Sequence, residues 1–248
     1  MQNLFDMTGQ VAVVTGAGRG IGEGIAQVFS QAGAAVVLAA RRTDEIERVA
    51  ADIRGSGGRV IAVPTDVTDD AAVEALAQAA VAEFGSLTCW VNNAGGSAVR
   101  TPMRELTRSQ WNDAIALNLT SVWVCCVAAA KCMTAGSIIN ISSRAGFVGV
   151  PGSGHYAASK AAVNSLTQTL SLEFAPKIRV NGIAPGSVPT EIMMKALDLD
   201  ESSAEKLAHN IPLGRLGTPT DIGAGALYLA TEAGSWMTGQ TLIISGGR

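Results

Sequence analysis

The run Val11-Ala12-Val13-Val14-Thr15-Gly16-Ala17-Gly18-Arg19-Gly20-Ile21-Gly22 decides how the chain folds. Val11 to Val14 is apolar at every position, as a strand covered on both faces requires. After the glycines, Ile21, Ile25, Val28, Phe29 and Ala32 return at helical spacing, and Gly33 stands where a left-handed residue ends a helix. Glycine lets a backbone turn tightly and approach a bound group closely. The helix that follows aims free N–H groups and its positive end at an anion. Placed between a buried strand and an amphipathic helix, the cluster predicts a cradle for a dinucleotide pyrophosphate. Its spacing is T-G-x-x-x-G-x-G. The G-x-G-x-x-G form is not met, because Ile21 or Glu23 falls where the third glycine should be.

Outward from this unit the pattern repeats. Ala35 to Ala40 reads as a second strand, and Thr43 as the N-cap of a helix with Asp44 and Glu45 in its first turn and Ile46, Val49, Ala50 and Ile53 inward. Val60 to Val63 is a third strand, and Thr68-Asp69-Asp70 opens a helix that reaches Phe84. Leu87 to Val91 is a fourth strand, and Thr107 caps a long helix to Met133. Ser137 to Ser142, Ile178 to Ile183 and Thr241 to Ser245 are further strands, with a helix from Tyr156 to Phe174. Strands alternating with helices predict an α/β fold: a doubly wound, Rossmann-type parallel sheet of about seven strands with helices on both faces, one domain over residues 1–248. The loosest stretch is Ser187 to Pro219. Within it, Val188 to Arg215 is the expected substrate lid.

Bulk composition narrows the function. The chain has 248 residues, 48% hydrophobic and 16% charged, with a net charge of −3. That is ample material for a core, and too little charge to attract nucleic acid or an anionic membrane. No basic leader precedes Gly9 and no apolar stretch such as Val122 to Ala130 reaches membrane length, so a cytoplasmic protein is expected. Four cysteines (Cys89, Cys125, Cys126, Cys132) and two histidines (His155, His209) form no zinc-like spacing. The thiols read as reduced core residues, and no metal is expected.

Four further segments carry chemistry. Tyr156 and Lys160 are four apart and so share a helix face, Ser143 lies thirteen residues before Tyr156, Asn118 sits in the long helix, and Asn92-Asn93-Ala94-Gly95 follows the fourth strand. Taken singly, each has an ordinary structural meaning: a half-buried ring beside a solvated charge, a strand-end turn, a weak helix former. Together with the glycine loop they resemble the short-chain dehydrogenase/reductase family over nearly the whole chain. Thr15 to Gly22 resembles its glycine motif, Asn92 to Gly95 its N-N-A-G motif, Tyr156 to Lys160 its Y-x-x-x-K motif, and Asn181 to Gly186 its nicotinamide-flanking loop. Ser245 departs from it, standing where many members carry Asp.

The resemblance implies a hydride-transferring oxidoreductase of ketones and secondary alcohols. Tyr156 would be the acid/base, Ser143 the donor to the substrate oxygen, Lys160 the ribose-holding cation, and Asn118 the anchor of a water relay. A phenol needs help to titrate near neutrality, and the Lys160 ammonium is expected to lower its pKa. Gly16, Gly18, Arg19, Gly20, Ile21, Gly22, Asn93, Ala94 and Gly95 would line the cofactor with Tyr156 and Lys160, Asp66 and Val67 would meet adenine, and Pro185, Gly186, Val188 and Thr190 the nicotinamide end. A homo-oligomer, a tetramer, is also implied, partly because the helices Thr107–Met133 and Tyr156–Phe174 are apolar beyond one face.

The second strand ends Ala39-Ala40-Arg41-Arg42, with no acid to hold a free adenosine ribose. NADP(H) is therefore expected over NAD(H), with Arg41 and Arg19 on the 2′-phosphate and Arg42 either sharing the task or solvated. His155 is an alternative base. A catalytically dead nucleotide-binding or scaffold protein is the competing function, and the set Asn118, Ser143, Tyr156 and Lys160 argues against it. Gly95-Gly96 and the stretch Ser235 to Gln240 look like bacterial hydroxysteroid dehydrogenases, while 3-oxoacyl and small-ketone reductases remain open.

Overall fold

The parallel ladder begins where β1 (Val11–Thr15) pairs with β2 (Ala35–Ala40) on one side and β4 (Cys89–Asn92) on the other. β3 (Val60–Pro64) joins beyond β2, and β5 (Gly136–Ile141), β6 (Ile178–Pro185) and β7 (Thr241–Ile244) extend the other half. The seven strands lie in the order β3-β2-β1-β4-β5-β6-β7, all parallel. Order reverses between β1 and β4, so the crevice at their carboxyl ends is the topological switch point where such sheets bind ligands. The computed structural model describes residues 3–97, 99–196 and 201–247.

Two apolar layers cover the sheet. On one face Ala12, Val14, Val36 and Leu38 pack with α1 (Gly20–Gln31), α2 (Thr43–Gly55) and α9 (Pro219–Ala230) through Ile25, Phe29, Ile46, Val49, Ile222 and Leu229. On the other, Val11, Val13, Val37 and Trp90 pack with α3 (Asp70–Phe84), α5 (Ser121–Cys132) and α6 (Gly154–Phe174). Alternate residues of β1 and β2 serve opposite layers, which is why these strands are apolar at nearly every position. Burying each such side chain contributes about 1.5–3 kcal/mol, which holds the strand ends, and hence the crevice, in fixed register.

Several local expectations shift. The α2 helix starts at Thr43, not after it: Arg42 occupies the N-cap position and no side chain caps the turn. An Arg42–Glu45 ion pair at 2.7 Å spans that turn instead. Asp69 is the cap of α3, accepting from the Ala71 and Ala72 amides. Thr107 does cap α4 (Arg108–Ile115), by a capping box with Gln110. The expected long helix is then interrupted, because Ala116–Thr120 winds as a π-helical turn around the buried Asn118 before α5 resumes. Such a turn carries one extra residue per hydrogen-bonded ring and is often found at functional sites. The whole run Arg108–Cys132 spans 25 residues and is long and apolar enough to cross a membrane by length and composition, unlike Val122 to Ala130 alone. Here it forms part of the layer over the sheet, with Val122, Cys125, Cys126 and Ala129 inward. Burial pushes the Cys89 and Cys126 thiols up to about 12, so they are inert core groups as expected.

Between β6 and α9 the chain forms α7 (Glu191–Ala196) and α8 (Glu201–His209). This is the Val188–Arg215 segment. Its far end is fastened by a bidentate Arg215–Asp221 pair at 2.7 and 2.9 Å. That guanidinium holds the Asp221 carboxyl far below its ordinary range. Residues 197–200 of the expected lid lie outside the described residues. A cavity of about 100 Å³ lies under the segment's return, lined by Val188, Leu213, Ile222 and Ser245 among others.

Candidate active site

The glycine loop is shaped for close approach. Gly16 and Gly20 have φ of +64° and +57°, which L side chains rarely adopt. A Cβ on Gly22 would stand 2.3 Å from the Gly16 carbonyl oxygen, so only glycine lets α1 begin this near the loop. Arg19 holds the N-cap position of α1 without a capping side-chain bond. The first N–H groups of that helix are therefore free for an anion, and the loop fits a dinucleotide pyrophosphate.

Thr15 holds this loop to the neighbouring strand. Its buried hydroxyl donates to Val91 O at 3.2 Å and accepts the Asn93 and Ala94 amides, each at 3.0 Å. Asn93 donates its side-chain amide to the carbonyls of Thr15 and Gly16 at 2.9 and 3.1 Å. The Asn93 side chain is thus spent on stapling the two loops, which places Ala94 and Gly95 at the crevice. Neither Thr15 nor this stapling role stood out in the sequence.

Asn118, Lys160 and Gly95 converge. Asn118 Oδ1 accepts the Gly96 amide at 2.8 Å, and its Nδ2 donates to Gly96 O at 2.9 Å and Ala114 O at 3.1 Å. The π-helical turn leaves this side chain free to pin the loop. A Cβ on Gly95 would stand 2.8 Å from Asn118 Oδ1 and 3.4 Å from Lys160 Nζ, so both groups abut one glycine. Lys160 is 3% exposed and donates to Ile141 O at 2.8 Å. Burial brings its ammonium down to about 8.

Ser143, just past β5, caps a 3-10 turn by accepting the Ala145 amide at 3.1 Å. Tyr156, in the first turn of α6, is half-buried, with Lys160 Nζ 5.7 Å from its ring centroid. Burial raises its phenol pKa, and Ser143 draws it partly back down. This differs from expectation. Burial and Ser143, not the Lys160 ammonium, set the direction of the phenol's shift. The Ser143 side chain lies within hydrogen-bonding reach of the Tyr156 hydroxyl, so the two hydroxyls meet at one place in the crevice. His155 is buried and points elsewhere: its Nε2 lies 3.2 Å from Ser97 Oγ, and its Nδ1 has no partner among the described residues.

At the other end of the crevice each expected phosphate-binding arginine faces a carboxylate. Arg41, highly exposed, stands 4.0 Å from Asp66, Arg42 pairs with Glu45, and Arg19 pairs with Glu191 of α7. Asp66 accepts the Thr68 amide and hydroxyl at 3.0 and 2.7 Å, which lowers its pKa and leaves Oδ2 toward Arg41. Val67 is buried beside it. Pro185 ends β6, and a Cβ on Gly186 would meet Ser245 at 2.7 Å. The loop therefore runs tightly past the C-terminal strand where Ser245 departs from the expected Asp. Val188 is buried, and Thr190 Cγ2 lies 3.0 Å from where a Gly20 Cβ would be, bringing the two cofactor loops together.

A family model described as enoyl-(acyl carrier protein) reductase matches residues 16–248. The chain belongs to the short-chain dehydrogenase/reductase family. It is 41% identical over 249 residues to an uncharacterised oxidoreductase of Mycobacterium tuberculosis, covering 99% of this chain and 94% of that one. It is 39% identical over 250 residues to 3beta-hydroxysteroid dehydrogenase 1 of Eggerthella lenta, covering 98% and 94%. Among solved structures, a 7alpha-hydroxysteroid dehydrogenase complexed with NADH and 7-oxo glycochenodeoxycholic acid superposes with a TM-score of 0.93 at 35% identity, covering 100% of this chain and 98% of that one. As a short-chain dehydrogenase/reductase the protein is an NAD(P)-dependent oxidoreductase acting on CH–OH and C=O groups.

Proposed function

We propose that this enzyme is an NADP(H)-dependent reductase of ketones, with Tyr156 as proton donor, and that it also runs as the reverse alcohol dehydrogenase. The observation that carries the reading is the convergence of Tyr156, Ser143, Lys160 and Asn118 at the carboxyl edge of the sheet, beside the glycine loop. Bound nicotinamide supplies the hydride. The Tyr156 phenol, kept protonated by burial, gives its proton to the carbonyl oxygen, while Ser143 donates a hydrogen bond to the same oxygen and stabilises its developing charge. Lys160 holds the nicotinamide ribose, and Asn118 fixes the loop against which Lys160 stands. Gly16 to Gly22 take the pyrophosphate, Asp66 and Val67 the adenine, and Pro185, Gly186, Val188 and Thr190 flank the nicotinamide.

Three exposed apolar side chains lie on or against the segments that carry Ser143 and Tyr156: Met103 packs on Gly154 at the start of α6, and Phe147 and Val148 stand four and five residues after Ser143. They favour a ketone on an apolar body, of the hydroxysteroid or ring-alcohol kind. Arg100, beside Gly152, and Arg144 favour a second reading, an acyl thioester on an acidic carrier. The cytoplasm is the proposed location.

Preference for NADP(H) rests on Ala40 ending β2 with Arg41 exposed beside it. Arg41→Ala should lower the kcat/KM ratio of NADPH to NADH about tenfold or more, the value of one charge-assisted phosphate contact. Equal efficiency with both cofactors in the wild type would end this reading.

A homo-oligomer, a tetramer, is supported by exposed large apolar side chains on the edge strand and on outer helix faces. Trp236 is fully exposed, Leu172 is 81% exposed, and Ile243 on the edge strand β7 and Trp123 on α5 are each 51% exposed. Apolar groups of this size on an open edge favour burial against a second copy. Light scattering should give a multiple of 25.4 kDa, and a monomer mass at micromolar protein would contradict it.

A further inference from the structure

Glu45 occupies a place the catalytic reading does not use. A Cβ built on Gly18 would stand 2.8 Å from Glu45 Cβ and 3.0 Å from Glu45 Oε2. The acid therefore lies on the glycine loop, and Gly18 leaves the room for it. Arg48, three residues on and on the same face of α2, donates to the Gly18 carbonyl at 3.1 Å and to Glu23 of α1 at 2.9 Å. The start of α2 is thereby clamped to the loop, and Glu45 is held where it is rather than free to swing into solvent. Its side chain is 23% exposed and takes Arg42 at 2.7 Å.

This position bears on charge. Arg41 and Arg42 follow the end of β2, Arg19 follows Gly18 in the loop that Glu45 abuts, and Glu45 pairs with Arg42. A carboxylate there acts twice against an incoming phosphate: it occupies the Arg42 guanidinium, and it repels the anion directly. A cofactor without a 2′-phosphate brings no charge to this corner and is indifferent to Glu45.

We propose that Glu45 is a specificity-determining residue for the cofactor: it ties up Arg42 and opposes a 2′-phosphate, so the enzyme favours phosphorylated cofactor less than its three arginines would allow. The proposal rests on the NADP(H) reading above and deepens it. Binding of the phosphate then requires Arg42 to exchange Glu45 for the phosphate oxygens.

The test is calorimetric and needs no turnover. Dissociation constants are measured for NADPH, NADH, 2′,5′-ADP and 5′-AMP, with wild type, Glu45→Gln, Arg42→Gln and the double variant, each checked for native circular dichroism. Glu45→Gln keeps the shape and removes the charge. It should tighten NADPH and 2′,5′-ADP about three- to tenfold while NADH and 5′-AMP stay within about twofold. Arg42→Gln in the Glu45→Gln background should remove most of that gain. An equal change for both cofactor classes would mean Glu45 only shapes the loop, and would overturn the proposal, as would no change at all. The parent reading is judged separately, by the wild-type preference and its loss in Arg41→Ala. If the wild type showed no preference but Glu45→Gln created one, the role of Glu45 would stand while the NADP(H) reading fell; if neither showed one, both would fall.

Discussion

Tyr156→Phe is expected to cut kcat about 10³-fold while leaving the dissociation constant for NADPH within about twofold. Only the hydroxyl is lost, and a positioned acid/base is worth about 10²–10⁴ in rate. The ring stays half-buried with Lys160 Nζ over it, so packing and the cofactor crevice are unchanged. Burial raises the phenol pKa in the cofactor-free protein. The wild type should therefore hold a protonated tyrosine across neutral pH, and ketone reduction should fall only on the alkaline side. Steady-state kinetics at saturating ketone, paired with a binding titration, separates chemistry from binding. A variant that kept most of its kcat would remove Tyr156 from the proton-transfer role and move attention to His155. The geometry disfavours His155, whose Nε2 is turned to Ser97.

Lys160→Met should do the reverse of an ordinary core mutation: it should abolish most turnover and weaken NADPH binding, yet leave the cofactor-free protein as stable as wild type or more so at pH 7. Burial holds the Lys160 pKa at about 8 in the folded chain against an ordinary 10.5. The depressed value means that folding penalises the ammonium. Below about pH 8 both states carry the proton and the full cost is paid. Between pH 8 and 10.5 the folded state has shed its proton and the unfolded state has not, so wild-type stability rises with pH through that window. The cost at pH 7 is about 3 kcal/mol. Methionine removes it but strips Ile141 O of its 2.8 Å bond, a loss of about 1–2 kcal/mol. Thermal unfolding of both proteins at pH 7 and pH 10 checks this. The advantage of the variant should be largest at pH 7 and shrink at pH 10. A variant much less stable at pH 7 would show that the ammonium is a net structural support.

The sheet and its helices were legible because the strands are short, mostly apolar runs and helices such as α1 and α2 keep a 3.6-residue apolar stripe. Ala12, Val14, Val36 and Leu38 serve one layer while Val11, Val13 and Val37 serve the other. The glycine loop was legible for a related reason: a glycine run between such elements has few other uses. What escaped was set by contacts distant in sequence. Nothing local marks Thr15 as the hub of three hydrogen bonds to residues 76 to 79 positions away. Nothing in the helical pattern of 107–133 announces the π-helical turn at Asn118, because the bonds that favour it run to Gly96. Arg41-Arg42 read as an uncontested basic pair in part for the same reason, since Asp66 lies far along the chain, although Glu45 stands only three residues from Arg42. The Asp66 carboxylate comes beside Arg41 only when the loop after β3 folds back to the crevice, whereas Glu45 reaches Arg42 within the first turn of α2.

Reduction of a ketone by this enzyme, with NADPH oxidation followed by absorbance across steroid ketones, ring ketones, small ketones and acyl thioesters, tests the central claim most directly. Turnover is expected with at least one of these classes in the wild type and loss of that turnover in Tyr156→Phe. Tight NADPH binding with no turnover of any class would contradict it, and would make the protein a nucleotide-binding member of its family with silent chemistry.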